Sequence, residues 1–182
     1  MKKVLMRAGK NPFTTIGYED VLQKNILGTN SGNLIFAHAA HKTMRTDKVH
    51  ITHAGYTANL LKADEINEKY DYFVLPFANA FRKSFEGNLK NYTKLIKKLK
   101  IPVIVVGVGA QTDLNYNMES MSSIDESVKE FVRVVLDRST SIGVRGELTA
   151  AYLNKLGFKD VDVIGCPSLF LHGQDFKTRI QP

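Results

Sequence analysis

One thirty-residue stretch restricts the fold of this chain more than any other. Ser141–Phe170 reads SIGVRGELTAAYLNKLGFKDVDVIGCPSLF. Ser141–Val144 is a short run suited to a strand, and Arg145-Gly146 follows it directly. Leu148, Ala151, Tyr152 and Leu156 then recur at helical spacing, with Lys155 in the last turn and Gly157 as the stop. Val161–Ile164 is a second apolar run, closed by Gly165-Cys166-Pro167. Two strands joined through a helix cannot form a hairpin, so they are expected to run parallel. Ligands of such sheets bind beyond the carboxyl ends of the strands. Arg145 and the Gly165–Ser168 turn both fall there.

The same alternation runs through the chain. Strands are predicted at Val4–Arg7, Val49–His53, Tyr72–Leu75, Val103–Val106, Ser141–Val144 and Val161–Ile164. Helices are predicted near Gly32–Lys42, Ala63–Lys69, Glu86–Leu99, Ser123–Arg138 and Glu147–Leu156. Ser123-Ile124-Asp125-Glu126 reads as a capping box, followed by an apolar stripe of Ile124, Val128, Phe131, Val132, Val135 and Leu136. Thr112–Ser123 has neither period and reads as a long loop at the ligand edge. Continuous apolar strands between helices imply an α/β fold: a Rossmann-like, mostly parallel six-stranded sheet with helices on both faces.

A length of 182 residues suits one domain with a sizeable core. The single cysteine, Cys166, excludes an internal disulfide and fits a reducing compartment. The basic start MKKVLMR lacks the apolar region of a secretory signal, and no run approaches the roughly 18 apolar residues of a membrane span. The expected location is cytoplasmic. Much of the net charge of +7 comes from Lys90, Lys94, Lys97, Lys98 and Lys100, on the outer face of the third predicted helix. Such a face is either simply solvated or a contact for a membrane surface or polyanion. No basic strand interleaved with aromatics and no helix-turn-helix pattern points to nucleic acid.

The motifs resemble those of the polysaccharide pyruvyl transferase family. Those enzymes show a strand, S-x-R-G, a helix containing T-A, L-G, and a strand ending in G-D-P or G-C-P. The matching residues here are Gly143-Val144-Arg145-Gly146, Thr149-Ala150, Leu156-Gly157 and Gly165-Cys166-Pro167-Ser168, with Gly143 where the family has Ser. Asn30-Ser31-Gly32-Asn33 resembles the family's N-terminal N-x-G-[ND] turn, and Ile101–Gln111 its central strand and glycine turn. Family members are usually about twice this length, with two Rossmann-like domains facing each other as in GT-B glycosyltransferases. The resemblance therefore implies that residues 1–170 are the first such domain and 171–182 a tail or the start of the second. It implies transfer of pyruvate from phosphoenolpyruvate, the donor substrate, to a saccharide acceptor in or destined for the cell envelope. The product is a ketal, and no cofactor or metal is implied.

That chemistry needs cations and N–H donors for the donor's carboxylate and phosphate, an acid for its methylene carbon and a base for the attacking hydroxyl. Arg145 is the foremost candidate for donor charge; the competing reading pairs it with Glu147 on the surface. Gly107 and Gly109 would let a ligand approach the backbone, with Gln111 just beyond, or they simply form a tight turn. Without the third glycine of a dinucleotide fingerprint, NAD is disfavoured. Asn30, Gly32 and Asn33 open a helix that could hold an anion or sugar oxygen, or only cap it. The resemblance puts that turn on the acceptor side of the cleft. Asn79 and Arg82 follow the third strand, where many family members have glycines; Arg82 is a possible second cation for the donor, or a surface residue. Ser168 completes the last turn. His53, at the end of the second strand, is the candidate acid or base, with His50 on the opposite face. His38 and His41 read as a packed pair, and Cys166 as a turn residue, not a nucleophile.

Two other functions fit the same residues. One is a non-catalytic sugar- or anion-binding domain that docks a separate second domain or forms a homo-oligomer through Phe170, Leu171 and Phe176. The other is a fragment of a nucleotide-sugar-dependent GT-B glycosyltransferase. Fold likeness alone does not separate them.

Overall fold

The computed structural model describes residues 1–24, 26 and 30–173. The expected α/β alternation is present. Strands β1 (Lys2–Met6), β2 (Val49–His53), β3 (Tyr72–Pro76), β4 (Val103–Val106), β5 (Ile142–Val144) and β6 (Val161–Val163) alternate with helices. The helices are α1 (Tyr18–Gln23), α2 (Gly32–Met44), α3 (Ala63–Lys69), α4 (Glu86–Ile96), α5 (Asp125–Leu136) and α6 (Glu147–Lys155). Every strand pairing is parallel.

The six strands do not make one sheet. Four form a sheet in the order β2-β1-β3-β4, and β5 and β6 form a separate pair. The two meet at a single parallel bridge, Val108 to Val144. Gly107 explains the break. Its φ of 64° takes the chain out of the extended conformation just after β4, so the ladder cannot continue and resumes for one residue only. The order β2-β1-β3-β4 is that of flavodoxin-like doubly wound sheets rather than the Rossmann order, and its topological switch point lies between β1 and β3. A GT-B arrangement requires a second facing domain, which the described residues do not build.

Helices lie on both faces of the four-stranded sheet. Leu5, Phe73, Leu75, Val103 and Val105 pack with α4 and α5 in one core cluster. Val4, Met6 and Val74, one residue out of phase, pack with Ala37 and Ala40 of α2 in another. Helix α5 starts at Asp125, but its capping residue is Ile124 and no side chain caps it. The predicted capping box is therefore not formed. The second half of the supposed loop, Met118–Ile124, is a 3-10 helix capped by the Asn117 side chain, and it leads straight into α5. Asp125 instead accepts a 2.7 Å hydrogen bond from the buried Tyr152 hydroxyl, tying α5 to α6. The lysine-rich face of α4 is partly paired, Lys90 with Glu86 at 2.7 Å and Lys97 with Glu130 at 2.5 Å. Among the described residues, no helix is long and apolar enough to cross a membrane.

Candidate active-site cleft

Period two along the strands decides which side chains reach the carboxyl edge. Arg7 follows β1 in phase with Leu5, so it emerges on the α4 side. His53 is the register partner of Met6, whose side chain belongs to the α2 side. Laterally paired residues of a parallel sheet share a face. His53 therefore stacks on His41 of α2, with rings 5.1 Å apart and nearly parallel, and their nitrogens lie 3.0 Å apart. Burial, then the nearby His41 and Lys10 charges, hold the His53 pKa down at about 4. Burial, with Arg45 and His38, lowers that of His41. The expected His38–His41 pairing is replaced by His41–His53, and both helix histidines meet the Phe13 ring edge-on. His53 does not line the cavity at the switch point. No group of three or more His, Cys, Asp or Glu among the described residues could hold a metal ion.

The switch point opens into a cavity of about 290 Å³. Arg7, Asn33, Asn79, Arg82, Ser84 and Asn88 supply its polar walls. A second cavity of about 320 Å³ shares Arg82 and Ser84 with it and is bordered by Gln111. Asn79 is the node of the arrangement. Its side-chain oxygen accepts from Arg145 Nη1 at 2.8 Å, and its main-chain oxygen accepts from Arg82 Nη1. Arg82 Nε also donates to Ser84 Oγ at 3.0 Å. Burial and the Arg7 charge lower the Arg82 pKa.

Arg145 does not pair with Glu147. Its guanidinium lies 5.7 Å from the Phe36 ring centroid, and its Nε is buried without a hydrogen-bond partner. Among the described residues, every ion pair is made by a lysine. Arg7, Arg82 and Arg145 thus converge on the β3 edge with no carboxylate to neutralise them.

The separate motifs prove to be one packed unit. A Cβ on Gly109 would stand 3.0 Å from Asn79 Oδ1 and 3.6 Å from Arg145 Cζ, so the missing side chain makes room for that pair. Thr149 Oγ1 accepts from the Ala110 N–H at 2.9 Å, which joins the glycine turn to α6. A Cβ on Gly107 would lie 2.7 Å from Pro167 Cδ and 3.1 Å from Phe36 Cζ. The space beside Gly107 is therefore filled by the protein's own Pro167 and Phe36. Ser168 sits half-buried in the 3-10 turn Pro167–Phe170. Asn30 is exposed, and its side chain accepts from the Gly32 N–H at 2.7 Å, the local turn bond of a helix start. Phe170 is half exposed, and Phe176 lies outside the described residues.

Sequence reasoning missed Arg7 and Asn88. For Arg7 the signal was present: a cation one residue past a central strand, in phase with its buried Leu5. Its importance depends on β1 standing at the switch point, which strand spacing does not reveal.

No similar curated protein and no similar solved structure was found. The sequence profile of polysaccharide pyruvyl transferases matches residues 30–180, most of the chain, spanning the turn before α2, the glycine turn and the Arg145 and Gly165–Ser168 motifs. The arginine-lined edge of this parallel sheet accordingly belongs to a member of the polysaccharide pyruvyl transferase family.

Proposed function

We propose that this protein takes part in transfer of pyruvate from phosphoenolpyruvate to a saccharide of the cell envelope, with Arg145 binding donor charge. The observation that carries this reading is the state of Arg145. It is a guanidinium oriented by Asn79, with a buried, unpartnered Nε and no carboxylate beside it. Asn79 engages only Nη1, which leaves Nη2 to meet an incoming oxyanion. In the reaction, the donor's methylene carbon takes a proton and an oxocarbenium-like centre forms. Two sugar hydroxyls add to that centre as a ketal, they lose their protons to a base, and phosphate departs. A cation at the carboxylate or phosphate offsets the charge shifted there.

The family resemblance puts the turn at Asn30, Gly32 and Asn33 on the acceptor side, and we extend that side to the cavity which Asn33 lines with Asn79 and Arg82. The acid and base are not assigned to His53, whose ring is engaged with His41 on the α2 side. Ile164, Leu169 and Phe170 are each more than a third exposed, which favours a covering second domain or a second copy.

Titration calorimetry with phosphoenolpyruvate tests the donor assignment. Arg145→Gln keeps a polar, unbranched stem but shortens the side chain and removes the charge. We expect it to weaken binding by roughly tenfold or more, as loss of a charge-assisted hydrogen bond does. Equal affinity in the variant, or a preference of the native protein for a nucleoside diphosphate, would refute the assignment.

A further inference from the structure

Arg7 closes β1 inside a box of aromatic rings. Its guanidinium carbon lies 4.8 Å from the ring centroid of Tyr56, 4.9 Å from Phe77, and 5.7 Å from both Phe85 and Tyr92. Its Nε donates to the Tyr92 hydroxyl at 3.1 Å and its Nη1 to the Pro76 carbonyl at 3.2 Å. The surrounding rings hold the cation in place but do not neutralise it. Neither hydrogen bond uses Nη2, so the outer edge of the fork is left toward the cavity that Arg7 lines.

Arg82 approaches the same space from the other side, with its guanidinium 5.3 Å from the Phe85 ring that Arg7 also touches. Two like charges share a partly enclosed cavity, and no Asp or Glu lines it. Like charges in reduced dielectric repel unless an anion lies between them. The remaining polar lining is neutral: the amides of Asn33, Asn79 and Asn88 and the hydroxyls of Thr57 and Ser84. Amides and hydroxyls both donate and accept, which matches a hydroxylated ring; phosphoenolpyruvate at neutral pH can only accept from them.

We infer that Arg7 and Arg82 form a second oxyanion subsite, apart from Arg145, for a phosphate or carboxylate group carried by the saccharide acceptor. The cavity, near the lower end of the range for small-ligand sites, suits a single sugar ring bearing such a group. The assignment to the acceptor rests on Arg145 serving the donor; the oxyanion chemistry of the subsite does not.

The test is a titration of the full, ¹⁵N-labelled chain with inorganic phosphate, following the arginine Nε–H resonances. With saturating phosphoenolpyruvate present, the Arg7 and Arg82 signals should still move with added phosphate. Arg82→Gln, at the rim of the cavity, should weaken phosphate binding roughly tenfold, and Arg7→Gln likewise. Arg145→Gln should leave it intact while phosphoenolpyruvate binding falls. If Arg7→Gln fails to fold because the ring box collapses, Arg82→Gln decides alone. Unchanged phosphate affinity in Arg82→Gln, or still Arg7 and Arg82 resonances, would overturn the subsite. Displacement of phosphate by phosphoenolpyruvate would overturn the acceptor assignment, because the anion would then be the donor's own. Failure of phosphoenolpyruvate to bind at all would remove the donor reading and, with it, the acceptor assignment, while the phosphate titration would still decide whether the subsite exists.

Discussion

Replacing Gly107 by alanine should destabilise the fold beside the cleft. Two effects add. At φ 64° an L-residue with a Cβ pays about 1–2 kcal/mol for the left-handed conformation. The new Cβ would also stand 2.7 Å from Pro167 Cδ and 3.1 Å from Phe36 Cζ, well inside ordinary contact. Relieving that overlap means shifting the Gly165–Ser168 turn or the α2 ring, at about 1–3 kcal/mol. The sum is about 2–5 kcal/mol, out of a total stability on the order of 5–15 kcal/mol. In a chain this size it corresponds to a fall in Tm of roughly 5–15 °C. Gly157→Ala is the matched control. Its φ is 97°, yet nothing lies within 4 Å of the added carbon. Only the conformational cost remains, partly offset by the reduced entropy of the unfolded chain, and about 1 kcal/mol is expected. Urea denaturation followed by far-ultraviolet circular dichroism would measure both, with m unchanged. Equal losses in the two variants would show that Pro167 and Phe36 do not press on Gly107, and the close packing of that turn against β4 would be wrong.

Thr149→Val should cost about 1–3 kcal/mol, because the Ala110 N–H loses its 2.9 Å acceptor while the side-chain volume is kept. A melt indistinguishable from that of the parent would count against this link between the glycine turn and α6. The histidine pair gives a pH signature. The folded His53 pKa of about 4 lies below its ordinary 6.5, so the unfolded chain binds more protons between those values. Stability should be full above about pH 6.5 and decline as the pH falls toward 4, and His53→Gln should flatten that slope. An identical slope in the variant would mean that other groups govern the acid limb.

Much of the layout was legible along the chain. The strand predicted at Val103–Val106 and the helix at Ala63–Lys69 match their observed bounds, because their apolar patterns and flanking residues agree. The start of α5 differs from the sequence pattern: Ser123 and Glu126 have the composition of a capping box, but the preceding 3-10 helix feeds directly into α5, so Ser123 never takes the capping position. Helix α1 was missed because it is only six residues long and buries none of them. His53 was placed at the correct strand end, but the face it would take needs the register with Met6, which is a relation between strands.

The sequence by itself determined the main strands and helices, their parallel pairing and the residues of each motif, since apolar period, glycine stops and crossover helices act over a few neighbouring positions. Tertiary structure alone decided the strand order and therefore where the switch point falls. That order brought Arg7, Arg82 and Arg145, far apart in sequence, to one edge around Asn79, and sent His53 to the other side. The physical reason is that charge repulsion, burial and hydrogen-bond satisfaction depend on distance in space. Distance in space is set by which strands lie side by side and which face each side chain takes.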